Sequence, residues 1–247
     1  MIHVYALVER PFELDGLIGG VDDRPLRLVY CPPLYAVVSE HDRAPGASRE
    51  RALAHAAVVA AVAERTDVVP VQYGAQHADD GALRAAVGER AGGLQEAMRR
   101  VGGHVEVVVR FDRPPGRPRG AEGGDGDGGD AGADGDGGAK APPGDTVDAE
   151  GSGRAYLERR LERERAERTA RLAASEQLRA RTAPVEQLAT EATDRPGPRG
   201  PERCLLVHRD EVEPLLAAVR AVAADVPDLV VGGPWPPYTF ASEPRGG

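Results

Sequence analysis

Between Arg113 and Gly151 the chain is proline, then Gly-Asp repeats, then proline again, with almost no large apolar side chain. Such a stretch cannot offset the entropy of ordering its backbone, so any core must be assembled from what lies on either side. The interruption divides the 247-residue chain into two apolar-rich parts. It also concentrates the charge. The protein carries 31 Lys and Arg against 40 Asp and Glu, a net −9, and Gly120 to Glu150 alone holds nine acids against one base, Lys140. Without that −8 the remainder stands at −1, which argues against a general affinity for nucleic acid. The Asp-Gly repeats invite a calcium reading, but they lack the flanking helices and closing Glu of one loop type and the apolar residues of the other. A disordered acidic Gly/Asp/Pro insert over residues 113–151, outside both cores, is expected.

The flanking parts read as alternating strands and helices. IHVYALVE (2–9) alternates as a strand, and LRLVY (26–30) and LYAVVSE (34–40) form two more around Pro32 and Pro33. Ser48 sits at the N-cap position of RERALAHAAVVAAVAER, whose apolar positions 52, 53, 56, 59, 60 and 63 trace one helical face. DVVPVQYGA (Asp67 to Ala75) reads as an apolar strand bent at Pro70. Proline donates no ladder hydrogen bond, so this strand belongs at an edge. A second helix starts at Asp79 and Asp80, bends at Gly92-Gly93 and stops at Gly102-Gly103. HVEVVVRFD (104–112) is a strand with Val105, Val107 and Val109 on one face. After the insert, the helix from Arg154 to Arg181 carries nine arginines and five glutamates, a solvated charged face with a thin stripe of Tyr156, Leu157, Leu161 and Leu172 that should dock on a sheet. CLLVHR is a strand, DEVEPLLAAVRAVAADVP a helix with Pro214 in its first turn, and DLVVGG a strand. From Val105 the order is strand, helix, an unassigned strand, strand, helix, strand. That order matches a split β-α-β unit. The expected fold class is α+β in two domains: an N-terminal α/β domain (1–102) and a C-terminal modified ferredoxin-like domain (103–247).

Nothing in the chain assembles a catalytic constellation. No Gly-rich phosphate loop, nucleophile elbow or zinc-type His pair is present, and the six histidines are scattered. His55, near the apolar side of its helix, reads as a satisfied core histidine. Cys31 and Cys204 lack metal or disulfide spacing and read as buried reduced thiols. The expectation is therefore a protein without enzymatic activity, cofactor or metal. No signal peptide pattern and no run of 18 apolar residues is found, so a soluble, cytoplasmic protein is expected. The remaining unusual element is the tail GGPWPPYTFA, with Trp235, the sole tryptophan, followed by Pro236, Tyr238 and Phe240. It reads as a stiff segment that folds back and packs its rings on the protein, in preference to a ligand for a proline-reading module.

These segments together (HVYALVE, LAHAAVVAAVAERTDVVPVQYGA, VEVVVRF, AYLERRLERE, LLVHRDEVEPLLAAV and GGPWPPYTF) resemble the gas vesicle protein GvpF/GvpL family. The family's Leu-Pro-Val-Arg-Phe-Gly-Thr motif stands here as Val69, Pro70, Val71, Gln72, Tyr73, Gly74 and Ala75, so Gln72 and Tyr73 replace Arg-Phe. Its terminal Gly-Pro-Trp-Pro-Pro-Tyr-Ser-Phe stands as Gly233 to Phe240, with Thr239 in the serine position. The resemblance implies two domains tied together by a tail at 234–247. It also implies accessory work in gas vesicle assembly, with the small apolar shell protein and other accessory proteins as partners and the gas vesicle as location. On this reading Val69, Pro70, Val71, Gln72, Tyr73, Trp235, Pro236, Tyr238 and Phe240 are candidate partner or domain-interface residues, and His3 to Val8 is a further contact strand. Two other classes stand beside it. One is a calcium-responsive or nucleic-acid-binding regulator using the Asp-Gly tract or the Arg-rich helix, the other an enzyme on a ferredoxin-like scaffold. Replacing Gly120 to Lys140 by a Gly-Ser linker that spans the same ends should leave the melting temperature unchanged, and calcium should not raise it; a large shift in either thermal scan contradicts the insert reading.

Overall fold

The computed structural model describes residues 1–112, 149–226 and 228–241. The expected insert lies outside them except at its end, where a helix already begins at Ala149. Two antiparallel sheets form a mixed α/β structure. The first contains β1 (Ile2–Val8), β2 (Leu26–Cys31), β3 (Leu34–Glu40), β4 (Val69–Pro70) and β5 (Gln76–His77), in the order β2-β3-β1-β4 with β5 also pairing β1. The second contains β6 (His104–Phe111), β7 (Glu191–Gly197), β8 (Gly200–His208) and β9 (Leu229–Trp235), in the order β7-β8-β6-β9.

Every residue of β1 is buried, because both of its faces are covered. Ile2, Val4 and Leu7 enter one core, while Tyr5, Ala6 and Val8 enter another. Strict alternation would not divide them so; the register against β3 shifts between Val4 and Ala6, and this bulge at Tyr5 adds the odd residue. Helix α1 (Arg49–Ala63) is capped by Ser48, whose hydroxyl accepts from Arg51 N, and covers the Tyr5 side. It buries His55, Val58, Val59, Val62 and Ala63. The expected face was rotated: Leu53 and Ala56 point to solvent. An Ala/Val helix that is apolar all round offers no polar stripe to fix its phase.

The next helix is two helices, α2 (Asp80–Glu89) and α3 (Ala91–Val101), broken at Arg90 and not at Gly92-Gly93. Arg90 has left the helical basin at φ −113°, ψ 12°, while both glycines stay helical. α2 and α3 cover the second face of the first sheet. The core there also takes Val108, Cys204 and Leu206 from the second sheet, so the two sheets share it. The far face of the second sheet (Val107, Val109, Phe111, Leu205, Val207) packs on α4 (Ala149–Glu186) and α5 (Val212–Ala224). Only the end of α4 docks: Ala174, Leu178 and Val185 are buried, whereas Tyr156, Leu157, Leu161 and Leu172 are exposed. Among the described residues no helix is long and apolar enough to cross a membrane.

The strand left unassigned in the sequence is β7, and charge holds it. Arg203 of β8 binds Glu186 of α4 at 2.9 Å and Asp194 of β7 at 2.8 Å, and Asp194 also accepts from Arg179 at 2.6 Å. The docked and free halves of α4 should respond differently in urea unfolding. Leu178→Ala should cost about 2–5 kcal/mol, and Leu172→Gln less than about 0.5 kcal/mol.

Candidate interaction surface at the junction of the sheets

On β6, Val107, Val109 and Phe111 face the α4–α5 layer, which turns Glu106 toward the opposite side, where the chain's end arrives. Glu106 is only 2 % exposed, so its carboxylate must be satisfied internally. Thr239 does most of this: its backbone N–H donates to Oε2 at 2.8 Å and its hydroxyl to Oε1 at 2.7 Å. Arg195 of β7 donates to Glu106 Oε1 at 3.3 Å, to Thr239 Oγ1 at 2.8 Å and, through Nε, to Glu202 at 2.8 Å. The approach of β9 requires a glycine. Gly233 has φ +114°, and a Cβ there would lie 2.8 Å from the Glu106 carbonyl oxygen. The adjacent Cys204 thiol is pushed up to about 12, first by burial and then by the Glu106 charge, so it is inert as a nucleophile at neutral pH.

The short helix α6 (Tyr238–Ala241) follows. Phe240, 1 % exposed, enters the core shared by both sheets together with Val69 and lies under the Arg100 guanidinium at 5.8 Å. Arg100, on α3, also forms a bidentate ion pair with Glu191 of β7. Tyr238 lines a cleft of about 350 Å³ with Pro236, Trp235, Glu106, Arg195 and the outer face of α1 at Ala56, Ala57 and Ala60. Burial pushes the Tyr238 phenol up to about 12.

This cleft opens onto an apolar surface. Leu53 is 61 % exposed, Ala56 and Ala57 are exposed, and Trp235 beside them is 55 % exposed. Between Ala52 and Ala63 the helix has no Lys, Arg, Asp or Glu at all. Among the described residues no group of three His, Cys, Asp or Glu side chains is placed to hold a metal ion.

The candidate residues separate into distinct environments. Val69 and Pro70 pair with Leu7 and Ala6 as a two-residue terminal strand, much shorter than expected. Val71 donates its N–H to Tyr5 O at 2.9 Å, and Gln72 is exposed. Tyr73 donates its hydroxyl to Gly46 O at 2.8 Å. Pro236 and Phe240 are buried, while Trp235 projects outward, so the tail does not bury all its rings as expected. The contact strand His3 to Val8 lies inside the sheet with both flanks paired. Sequence reading missed Glu106, Arg195 and Glu202. A carboxylate amid the valines of VEVVVRF was the available signal; its partners lie 89 and 133 residues away.

The described architecture, two antiparallel sheets with helices between and outside them, matches solved gas vesicle proteins. The GvpF crystal structure from Anabaena sp. PCC7120 superposes with a TM-score of 0.64 at 15 % identity, covering 98 % of this chain and 95 % of that one. GvpF from Microcystis aeruginosa gives 0.61 at 15 % identity, covering 98 % of each chain. At that identity the likeness shows the fold. The sequence model of the gas vesicle synthesis protein GvpL/GvpF family matches residues 1–242, and the chain belongs to that family. Its role thus lies in gas vesicle formation. A search of curated proteins gives no match.

The two ends of the tail should separate experimentally. Phe240→Ala should cost about 3–5 kcal/mol in urea unfolding and Trp235→Ala less than about 1 kcal/mol. The sole tryptophan should emit near the wavelength of water-exposed indole; a strongly blue-shifted maximum in the native protein contradicts the exposed placement.

Proposed function

We propose that this protein is an assembly factor that binds the small apolar shell subunit of gas vesicles through the outer face of α1 and the adjoining Trp235. It acts by covering apolar surface and performs no catalysis. The observation that carries the reading is the uncharged face of Leu53, Ala56 and Ala57 next to a half-exposed tryptophan. A contiguous apolar patch of this kind marks a surface built for a partner. Small residues on α1 allow close approach of another backbone, and Trp235 supplies an anchor at the rim. The earlier candidate edge at Val69 to Tyr73 is less suited, because α6 and α3 pack over β4. Glu106 and Arg195 are engaged with each other and with Thr239, a use that supports a structural role for these charges.

The same proposal assigns the halves of the chain. The order β7-β8-β6-β9 with all neighbours antiparallel supports a ferredoxin-like unit over residues 103–247 beside an N-terminal α/β unit over 1–102. The tail from Pro234 then ties one to the other through Thr239 and Phe240. Other accessory proteins of the vesicle are further partners in this reading, and the gas vesicle is its place of work.

Co-expression with the shell subunit tests it. The wild-type protein should retain the subunit through a pull-down at high salt, since the contact is apolar. Leu53→Glu combined with Ala57→Glu should reduce recovery at least tenfold with an unchanged melting temperature. Failure of the wild-type protein to retain the subunit overturns the function. Wild-type-like binding by the double variant overturns the surface.

A further inference from the structure

We propose that His3 and His55 form an acid-sensitive latch that holds the Val71–Ala75 segment against β1 and α1 and releases it when the pair takes up one more proton. This goes beyond the assembly reading and does not depend on it.

The hydrogen bonds fix the protons. His55 Nε2 lies 2.8 Å from Val71 O, and a carbonyl only accepts, so His55 carries its hydrogen on Nε2. Its Nδ1 is therefore bare and accepts from His3 Nε2–H at 2.9 Å. That leaves His3 Nδ1 as a bare nitrogen. It is the one buried side-chain polar atom without a partner among the described residues, on a residue with 0 % exposure. A second chain runs alongside. Val21 N–H donates to Tyr5 Oη at 2.7 Å, the Tyr5 and Ser39 hydroxyls share a hydrogen bond of 2.8 Å, and Ser39 Oγ lies 2.9 Å from His41 Nε2. The Tyr5 ring stacks on His55 at 5.1 Å and meets His3 edge-on at 4.8 Å. In the histidine pair the donors run from His3 through His55 to Val71 O, with the bare His3 Nδ1 at the head.

An added proton therefore has no good place. On His3 Nδ1 it makes a buried imidazolium with no acceptor. On His55 Nδ1 it sets two N–H groups against each other. Among the described residues no carboxylate forms a hydrogen bond to the pair. The charged and titratable groups around the cluster are the Met1 amine, which donates to His41 O, Asp22 and Arg24 from the turn before β2, Arg51 from α1, and the phenol of Tyr73. Asp22 is already bound to Arg51 at 2.9 Å. Burial accordingly lowers His55 and His41 and takes His3 down to about 4.

The wall that can yield is the segment itself. β1 is anchored in two cores and α1 in one of them, whereas Gln72 and Gly74 are exposed and Val71, Tyr73 and Ala75 are half-buried. The segment is held by Val71 N–H to Tyr5 O (2.9 Å), His55 to Val71 O (2.8 Å), Val4 N–H to Ala75 O (3.1 Å) and Tyr73 to Gly46 O (2.8 Å). Lifting it lets water reach the rings at the cost of few apolar contacts. The sign follows from linkage. The closed form holds the rings neutral, so its advantage is complete above about pH 6.5, the ordinary histidine value, and is lost as pH falls toward about 4.

Amide hydrogen exchange on the full chain, corrected for intrinsic rates, tests the latch. Between pH 7.5 and 5, protection of Val71 to Ala75 should fall about tenfold or more while β6 and β8 stay protected. His3→Phe, which keeps a ring but offers no proton site, should flatten that dependence. Should this variant not fold, the ring-proton shift of His3 in the wild-type protein decides: it should titrate with a midpoint below about 5. Unchanged protection of the segment at pH 5, loss in step with β6 and β8, or a His3 midpoint near 6.5 overturns the proposal.

Discussion

One buried carboxylate organises the junction of the two sheets. Glu106 sits on the central strand β6 with almost no access to water, and an unsatisfied charge there would cost several kcal/mol. Its partners come from two stretches distant in sequence: β7 through Arg195, and α6 through Thr239. Satisfying it requires the end of the chain to return across the sheet, and that return carries Phe240 into the core that both sheets share. A register shift between Glu106 and Val108 in the β6–β9 pairing, together with Gly233, sets the geometry of the approach. The charge thus specifies where the tail lies, and the phenylalanine makes the arrangement favourable.

The second sheet closes its outer edge differently. β7 has few apolar side chains and is fastened by the alternating pairs of Arg203, Glu186, Asp194 and Arg179. An edge strand dressed in charge resists pairing with another chain. The opposite outcome is seen on α1 beyond its first turn, where the exposed Leu53, Ala56 and Ala57 carry no charge. The molecule thus carries charge along one flank and apolar side chains on another, the asymmetry that the proposed apolar partner would use.

Legibility in the sequence followed the source of each element's stability. β6 and α5 were readable because apolar periodicity alone defines them, and Ser48 and Asp79 marked helix starts through their capping oxygens. β7 was not readable, since EATDRPG is held by ion pairs to residues distant in sequence. The phase of α1 was lost because alanine and valine surround it. Pro70 correctly indicated a terminal strand, but the apolar run around it suggested a longer one than the two residues that pair. In the tail, the aromatic cluster was visible, yet which ring is buried depended on Glu106, and no local pattern encodes that.

The bulge at Tyr5 gives β1 an unusual property. It acts as a phase shift in the strand: residues before it obey one parity and residues after it the other. Ala6, Leu7 and Val8 reach their proper layers only because of that extra residue. The strand's length is consequently under tighter constraint than its composition. Exchanging one aliphatic side chain for another alters a local fit, whereas losing a single position upstream of Ala6 would transpose three side chains between two cores at once.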